Sequence, residues 1–81
     1  MKDYYKILEL EKSASSKDIR NAYIRLIRKY HPDKNPNNQK ALKKYQDVVE
    51  AYNTLGDLDN RLKYSILLNK KILMNKKDEL D

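Results

Sequence analysis

The chain of 81 residues has room for one small domain, because typical domains contain about 100 to 150 residues. It has one Gly and two Pro, too few turn residues for an all-β fold built from many short strands. It has no Cys, which excludes both a disulfide framework and a thiolate metal site. The formal net charge of +6 would suit nucleic acid, an anionic membrane or an acidic protein surface as a partner.

The N-terminal residues predict a short first helix. Asp3 is expected to cap it, and the helix carries Tyr4, Tyr5, Ile7 and Leu8. The first ten residues lack the apolar run of a secretory signal, and no segment approaches the ~20 apolar residues of a membrane-spanning helix. We therefore expect no membrane span, and a cytoplasmic location is favoured.

The clearest periodicity lies between residues 16 and 30. Apolar or aromatic side chains recur there at spacings of three and four, as on one face of an α-helix: Ile19, Ala22, Tyr23, Leu26, Ile27 and Tyr30. Ser15 and Asp18 have the spacing of a capping box at its start. Pro32 disfavours the α conformation at His31, so this second helix should end at Tyr30.

A loop is predicted from His31 to about Asn38, since Pro36 extends the break by restricting Asn35. A second apolar stripe follows and predicts a third helix: Leu42, Tyr45, Val48, Val49, Tyr52 and Leu55. Gly56 is expected to close this helix in the left-handed conformation. Two long helices joined by a short loop should pack antiparallel.

The remaining residues predict a short fourth helix. Either Asp57 or Asp59 is expected to cap it, and it should contain Leu58, Leu62 and Ile66. The tail from residue 67 onward mixes apolar residues and lysines without a clean stripe, so it is expected to be a helical or frayed extension. The predicted fold is all-α with four helices, in which residues 1–66 form the domain and residues 67–81 the extension. A monomer is expected.

The outward face of the second helix is basic. It carries five positive charges against the single negative charge of Asp18, a net of +4, from Lys17, Arg20, Arg25, Arg28 and Lys29. These residues occupy adjoining rows along the helix that lead toward the loop. Such a run of charges is often only a solvated surface, but the loop at its end favours a binding site.

The tripeptide His31, Pro32 and Asp33 follows the basic stripe directly. The fixed φ angle of Pro32 restricts how the imidazole and the carboxylate are oriented. The segment from Ile19 to Pro36, IRNAYIRLIRKYHPDKNP, resembles the second helix and loop of J-domains, the co-chaperones that activate Hsp70. DYYKILEL is similar to the first helix of that family, and YQDVVEAYNTLGDLDNRLKY to its third and fourth helices.

The resemblance implies that this chain docks on Hsp70 and stimulates its ATPase, and is not itself an enzyme. The basic face would meet an acidic surface of the nucleotide-binding domain, while His31, Pro32 and Asp33 would engage the interdomain linker region. In the family the aspartate pairs with an arginine of Hsp70, an interaction that can be bidentate. Four residues of the second helix match Hsp70-binding positions of the family: Arg20, Tyr23, Arg25 and Lys29.

Several positions depart from the usual pattern of the family. Glu9 stands where Gly is common, Ile24 where a basic residue often lies, and Tyr45 where Phe is frequent. The fourth helix departs at three positions where Pro, Lys and Asp are frequent: Leu58, Asn60 and Ser65. These differences bear on the strength of docking more than on its kind.

Three alternatives have weaker support in the sequence. As an enzyme, the chain would have only His31 and Asp33 as an acid/base pair, since it has one His, no Cys and no Gly-rich phosphate loop. The parts of a catalytic triad or a metal site are missing, so no cofactor or metal is expected. A basic helical nucleic-acid-binding module is the main rival, but helix-turn-helix proteins use a tighter turn of about three or four residues. A J-like regulatory domain that does not activate Hsp70 would usually lack an intact tripeptide.

Overall fold

The computed structural model describes the backbone of residues 2–80 and the side chains of residues 2–70. Within this part the chain forms four α-helices and no strand: α1 (Tyr4–Ile7), α2 (Ser16–Tyr30), α3 (Gln39–Leu55) and α4 (Leu58–Leu80). The all-α prediction is therefore confirmed. No helix in the described part is long and apolar enough to cross a membrane.

The N-terminal caps of α1 and α2 are those expected from the sequence. The carboxylate of Asp3 accepts a hydrogen bond from the backbone N–H of Lys6 at 3.1 Å. Ser15 Oγ accepts from the N–H of Asp18, and the Asp18 carboxylate accepts from the N–H of Ser15, both at 3.1 Å. The capping box therefore starts α2, and the His-Pro step ends this helix at Tyr30 as predicted.

Helix α3 contacts each of the other three helices. The ring of Tyr23 stacks on that of Tyr52 with 4.0 Å between centroids, whereas His31 meets Tyr45 at 5.6 Å. Moving along the chain from Tyr23 to His31, the partner in α3 thus moves backward from Tyr52 to Tyr45. The two long helices are antiparallel, as their short connection predicts.

The core contains side chains from all four helices and determines which face of α2 remains in solvent. Its buried members are Tyr5, Leu8, Ile19, Ala22, Leu26, Val48, Ala51, Leu55 and Tyr64. Full burial of a side chain such as Leu26 contributes about 1.5–3 kcal/mol relative to exposure. Because Ile19, Ala22 and Leu26 bind α2 to the core, the basic face of that helix is directed outward.

Gly56 does not adopt the left-handed conformation predicted for it. Its φ of −78° and ψ of −14° are right-handed, and its N–H continues the helical pattern by donating to the carbonyl of Tyr52 at 2.7 Å. The prediction was wrong because the backbone stays right-handed through Gly56 into the turn before α4. Glycine is instead required by space, since a Cβ at position 56 would lie 2.6 Å from the Tyr52 carbonyl oxygen and 2.8 Å from its ring.

The fourth helix is not short, contrary to the sequence-based expectation. It spans the 23 residues Leu58–Leu80 and passes residues 66 and 67 without a break. No Pro or Gly interrupts this segment, and its many Leu, Ile, Lys and Met residues favour a helix. Of the two candidate caps, Asp57 is the one used, because its carboxylate accepts from the N–H of Asp59 at 3.2 Å.

Helix α4 is fixed to the domain by polar and aromatic side chains. Arg61 donates from Nε to the hydroxyl of Tyr5 at 3.1 Å and from Nη2 to the carbonyl of Ala14 at 2.6 Å. The buried Tyr64 donates its hydroxyl proton to the carbonyl of Lys2 at 2.8 Å. The apolar residues predicted for this helix are more than half exposed: Leu58, Leu62 and Ile66.

Candidate partner-docking site

The tripeptide forms a tight turn directly after α2. His31 has an extended backbone, with φ −58° and ψ 136°, as expected for a residue before proline. Its carbonyl accepts hydrogen bonds from the N–H groups of Lys34 at 3.0 Å and Asn35 at 3.1 Å. Pro32 occupies the second position of this turn, which its fixed φ angle favours. Asp33 therefore lies at the tip of a defined turn.

Asn35 fastens this turn to the end of α2. Its side-chain amide donates to the carbonyl oxygens of Lys29 and His31, both at 3.0 Å. The last carbonyls of a helix lack intrahelical partners, so the bond to Lys29 satisfies an acceptor that would otherwise need water. The His31 carbonyl already accepts from two backbone N–H groups and gains the amide as a further donor. Asn35 was not among the predicted site residues. Its sequence signal is an Asn placed within reach of a helix C-terminus and immediately before Pro36.

His31 orients the backbone of the turn through its ring. Nδ1 accepts a hydrogen bond from the N–H of Asp33 at 3.1 Å. Because a backbone N–H only donates, Nδ1 carries no proton in this arrangement and the neutral ring has its proton on Nε2. The 3.7 Å between Nδ1 and the Asp33 carboxylate is too long for a hydrogen bond. The imidazole thus holds the main chain of Asp33 and leaves its carboxylate unrestrained.

The carboxylate of Asp33 is directed into solvent. This side chain is 92% exposed, compared with 41% for His31. It accepts no hydrogen bond from any side chain or backbone group in the described part of the chain. Both of its oxygens are therefore accessible to a planar guanidinium group from another protein, in the geometry of a bidentate pair.

The positive side chains predicted for the outward face of α2 are all exposed: Lys17, Arg20, Arg25, Arg28 and Lys29. Arg20 and Lys29 lie nine positions apart, which corresponds to roughly 13.5 Å along the helix. Lys29 Nζ lies 5.4 Å from the centroid of the Tyr30 ring. Arg25 is engaged within the chain, because its Nη1 lies 3.6 Å from a carboxylate oxygen of Glu9.

Tyr23 has a different position from the basic residues. Its ring is half-buried and stacks on Tyr52 with an angle of 14° between the planes. Such packing fixes α2 on α3 and leaves only part of Tyr23 accessible. The neighbouring Ile24 is 36% exposed, so an apolar group is present on the basic face as its sequence position suggests.

The connection between α2 and α3 disfavours a helix-turn-helix interpretation. Residues 31–38 separate the two helices, which are antiparallel. Helix-turn-helix motifs use a turn of about three or four residues between helices that cross at roughly 90–120°.

Among the described side chains no group of three or more His, Cys, Asp or Glu residues is placed to hold a metal ion.

Comparison with known proteins places this geometry in context. The family model for the DnaJ domain matches residues 3–65. The chaperone protein DnaJ of Clostridium kluyveri is 49% identical over 63 residues, which cover 78% of this chain and 17% of that protein. The chaperone protein DnaJ of Caldicellulosiruptor saccharolyticus is 46% identical over 63 residues, covering 78% of this chain and 16% of that protein. The match therefore spans about a sixth of these relatives.

A solved structure has a similar fold. The crystal structure of the J-Trx1 fragment of ERdj5 superposes with a TM-score of 0.73 at 43% sequence identity. The superposition covers 80% of this chain and 32% of that one.

Proposed function

Because the chain belongs to the DnaJ domain family, we propose that it docks on an Hsp70 chaperone and stimulates ATP hydrolysis by that partner, without catalysing a reaction itself. The observation that carries this proposal is the Asp33 carboxylate, which is 92% exposed at the tip of a fixed turn. The turn stands at the end of the basic face of α2. The domain thus presents one exposed acidic group, on a backbone that the turn holds in place, beside a broad positive surface.

The basic face acts first in this mechanism. Arg20, Arg25 and Lys29 attract an acidic surface on the nucleotide-binding domain of Hsp70 and orient the two proteins. Charges at an exposed interface increase the association rate and set orientation more than they increase affinity. Tyr23 contributes mainly by fixing α2 on α3, which keeps the basic side chains in register with the loop.

The loop then engages the interdomain linker region of Hsp70. The Asp33 carboxylate pairs with an arginine of Hsp70 and disturbs contacts that restrain ATP hydrolysis. His31 holds the Asp33 main chain through Nδ1, and Pro32 fixes the turn. The side chain of Asp33 therefore reaches its partner from a backbone that needs little further ordering, which lowers the entropic cost of docking.

Single-turnover ATP hydrolysis by a matched Hsp70 tests the proposal. The wild-type chain should accelerate hydrolysis, and Asp33→Asn and His31→Gln should each remove at least about nine-tenths of that acceleration. Asp33→Asn loses the charge-assisted contact, and His31→Gln loses the imidazole that holds the Asp33 main chain. Asp59→Asn is a matched control, because it removes an exposed carboxylate from α4. Equal stimulation by the wild type and both loop variants would overturn the proposal.

The same variants separate this function from nucleic-acid binding. A basic nucleic-acid module should bind a DNA duplex with a steep salt dependence and should retain or gain affinity in Asp33→Asn. An Hsp70-docking domain should lose activity in that variant. We propose no nucleic-acid partner.

We also propose that residues 1–66 are sufficient for docking and act as a monomer, with residues 67–81 as an extension of α4. A chain truncated after residue 66 should then stimulate Hsp70 as strongly as the full chain. Weaker stimulation by a truncated chain that remains folded would assign part of the docking surface to the extension.

A further inference from the structure

Glu9 connects the turn after α1 to the basic face of α2. Its N–H donates to the carbonyl of Lys6 at 3.0 Å, and its carboxylate oxygen Oε2 lies 3.6 Å from Nη1 of Arg25. The Glu9 and Arg25 side chains are 57% and 55% exposed, respectively. The pair therefore lies on the surface where an acidic partner would approach.

The backbone at Glu9 is unusual. Its φ of 59° is left-handed, a conformation shared among the described residues only by Asn37 with φ 58°. Asn tolerates this conformation, whereas Glu has no such preference. The neighbours of Glu9 explain it, since Leu8 is fully buried and the N–H of Leu10 donates to the carbonyl of Tyr5 at 2.8 Å. The fold thus imposes the turn that brings the Glu9 carboxylate toward α2.

We infer that Glu9 is an internal counter-ion that competes with the acidic surface of Hsp70 for Arg25. This inference rests on the function proposed above. Docking an acidic group on Arg25 requires the guanidinium to leave Glu9 or to be shared with it. An ion pair this exposed is weak, so Glu9 reduces the strength of docking without preventing it.

Arg25 is distinguished from the other basic residues of the predicted site by this contact. Arg20 and Lys29 form no ion pair with any side chain that the structure describes. An acidic partner therefore meets an internal competitor at Arg25 and none at these two positions. Glu9 is on this basis a residue that sets the strength of docking through Arg25.

A double-mutant cycle measures the competition. The wild type, Glu9→Gln, Arg25→Gln and the double variant are titrated against Hsp70, and the concentration for half-maximal ATPase stimulation is determined at low salt. Glu9→Gln should lower this concentration about two- to fivefold in the wild-type background, the range expected for an exposed ion pair. In the Arg25→Gln background the same substitution should have almost no effect, and raising the salt concentration should diminish the difference.

Glu11→Gln is the matched control. It makes the same change in net charge two positions further along, and Glu11 forms no ion pair among the described side chains. Glu11→Gln should lower the half-maximal concentration less than Glu9→Gln does. The size of its effect should be equal in the wild-type and the Arg25→Gln backgrounds. Equal effects of the two glutamate substitutions, or an effect of Glu9→Gln that persists without Arg25, would overturn the inference. A wild-type chain that stimulates no Hsp70 would overturn the proposed function, and this inference with it.

Discussion

The ring of His31 packs against the ring of Tyr45 with 5.6 Å between centroids and 79° between the planes. This edge-to-face contact joins the loop of residues 31–38 to the second turn of α3. Through Asn35 the same loop is also bonded to the end of α2. The tripeptide is therefore supported by both long helices, although the family motif is local in sequence.

Replacement of Tyr45 should release the His31 ring. Tyr45→Leu removes the aromatic partner, so the imidazole proton resonances of His31 should shift as the ring current is lost. The free energy of unfolding should fall by about 0.5–1.5 kcal/mol beyond the loss of buried area. Tyr45→Phe retains the ring and should leave both measurements close to the wild type. Identical His31 resonances in the wild type and Tyr45→Leu would contradict the contact.

Loss of the Asn35 amide should destabilise the domain. Asn35→Ala leaves two carbonyl acceptors without this donor, and the free energy of unfolding in urea should fall by about 1–3 kcal/mol. Asn35→Asp should be worse, because it replaces the donor by a carboxylate facing two carbonyl oxygens. Asn21→Ala, at an exposed position of α2, serves as the control and should change stability by less than about 0.5 kcal/mol. Equal stability of the wild type and Asn35→Ala would show that the amide does not clamp the loop.

Gly56→Ala should lower stability although the backbone at this position is right-handed. At most such positions an alanine stabilises by about 0.4–1 kcal/mol, because it restricts the unfolded chain. Here the added Cβ would lie 2.6 Å from the Tyr52 carbonyl oxygen, so α3 or the Tyr52 ring must move. We expect a net loss of about 1–3 kcal/mol, measured as a lower Tm. An unchanged or higher Tm would mean that the close approach is relieved without cost.

The parts of the fold that were predicted correctly depend on neighbours in sequence. Ser15 and Asp18 cap α2 from three positions apart, and Pro32 acts on the residue before it. The loop from His31 to Asn38 was predicted from such local features, and the structure has it between α2 and α3. That His31, Pro32 and Asp33 bind Hsp70 was expected from the resemblance to a family and stays a prediction.

The features that were missed depend on contacts between distant residues or on space. The ion pair between Glu9 and Arg25 requires the turn after α1 to lie beside α2, and the left-handed backbone of Glu9 belongs to that turn. The predicted apolar stripe of α3 was also built from large side chains. It included Leu42, which is 37% exposed, and omitted the small Ala51, which is fully buried. Close helix packing selects alanine at such positions, which a stripe of large residues does not reveal.

The two hydrogen bonds of Arg61 should not be reproduced by lysine. Arg61→Lys keeps the positive charge, but a single ammonium cannot match the guanidinium contacts to the Tyr5 hydroxyl and the Ala14 carbonyl. The free energy of unfolding should fall by about 1–3 kcal/mol. Lys63→Arg, at an exposed position of the same helix, is the control and should be nearly neutral. A neutral Arg61→Lys variant would show that charge alone attaches α4.

A cluster of ion pairs connects the N-terminal segment to α3. Lys2 Nζ lies 3.1 Å from Asp47 Oδ1 and 3.1 Å from Glu50 Oε2, and Lys43 Nζ lies 3.5 Å from Asp47 Oδ1. Burial by itself would raise the pKa of Asp47, but the hydrogen bond from Lys2 and the charges of Lys2 and Lys43 outweigh it. The pKa of Asp47 therefore lies below its ordinary value of 3.8.

This lowered pKa predicts how the contribution of Asp47 to stability changes with pH. The folded state favours the carboxylate, so its contribution is fully present above pH 3.8 and is lost as the pH falls through the lower folded-state pKa. Asp47→Asn should therefore be less stable than the wild type by a constant amount near neutral pH, and the difference should shrink progressively in acid. Urea unfolding of both proteins across this range measures the effect, with Glu11→Gln as the control for a general loss of negative charge. A difference that stays constant down to pH values well below 3.8 would mean that Asp47 acts through packing and not through its ionised carboxylate.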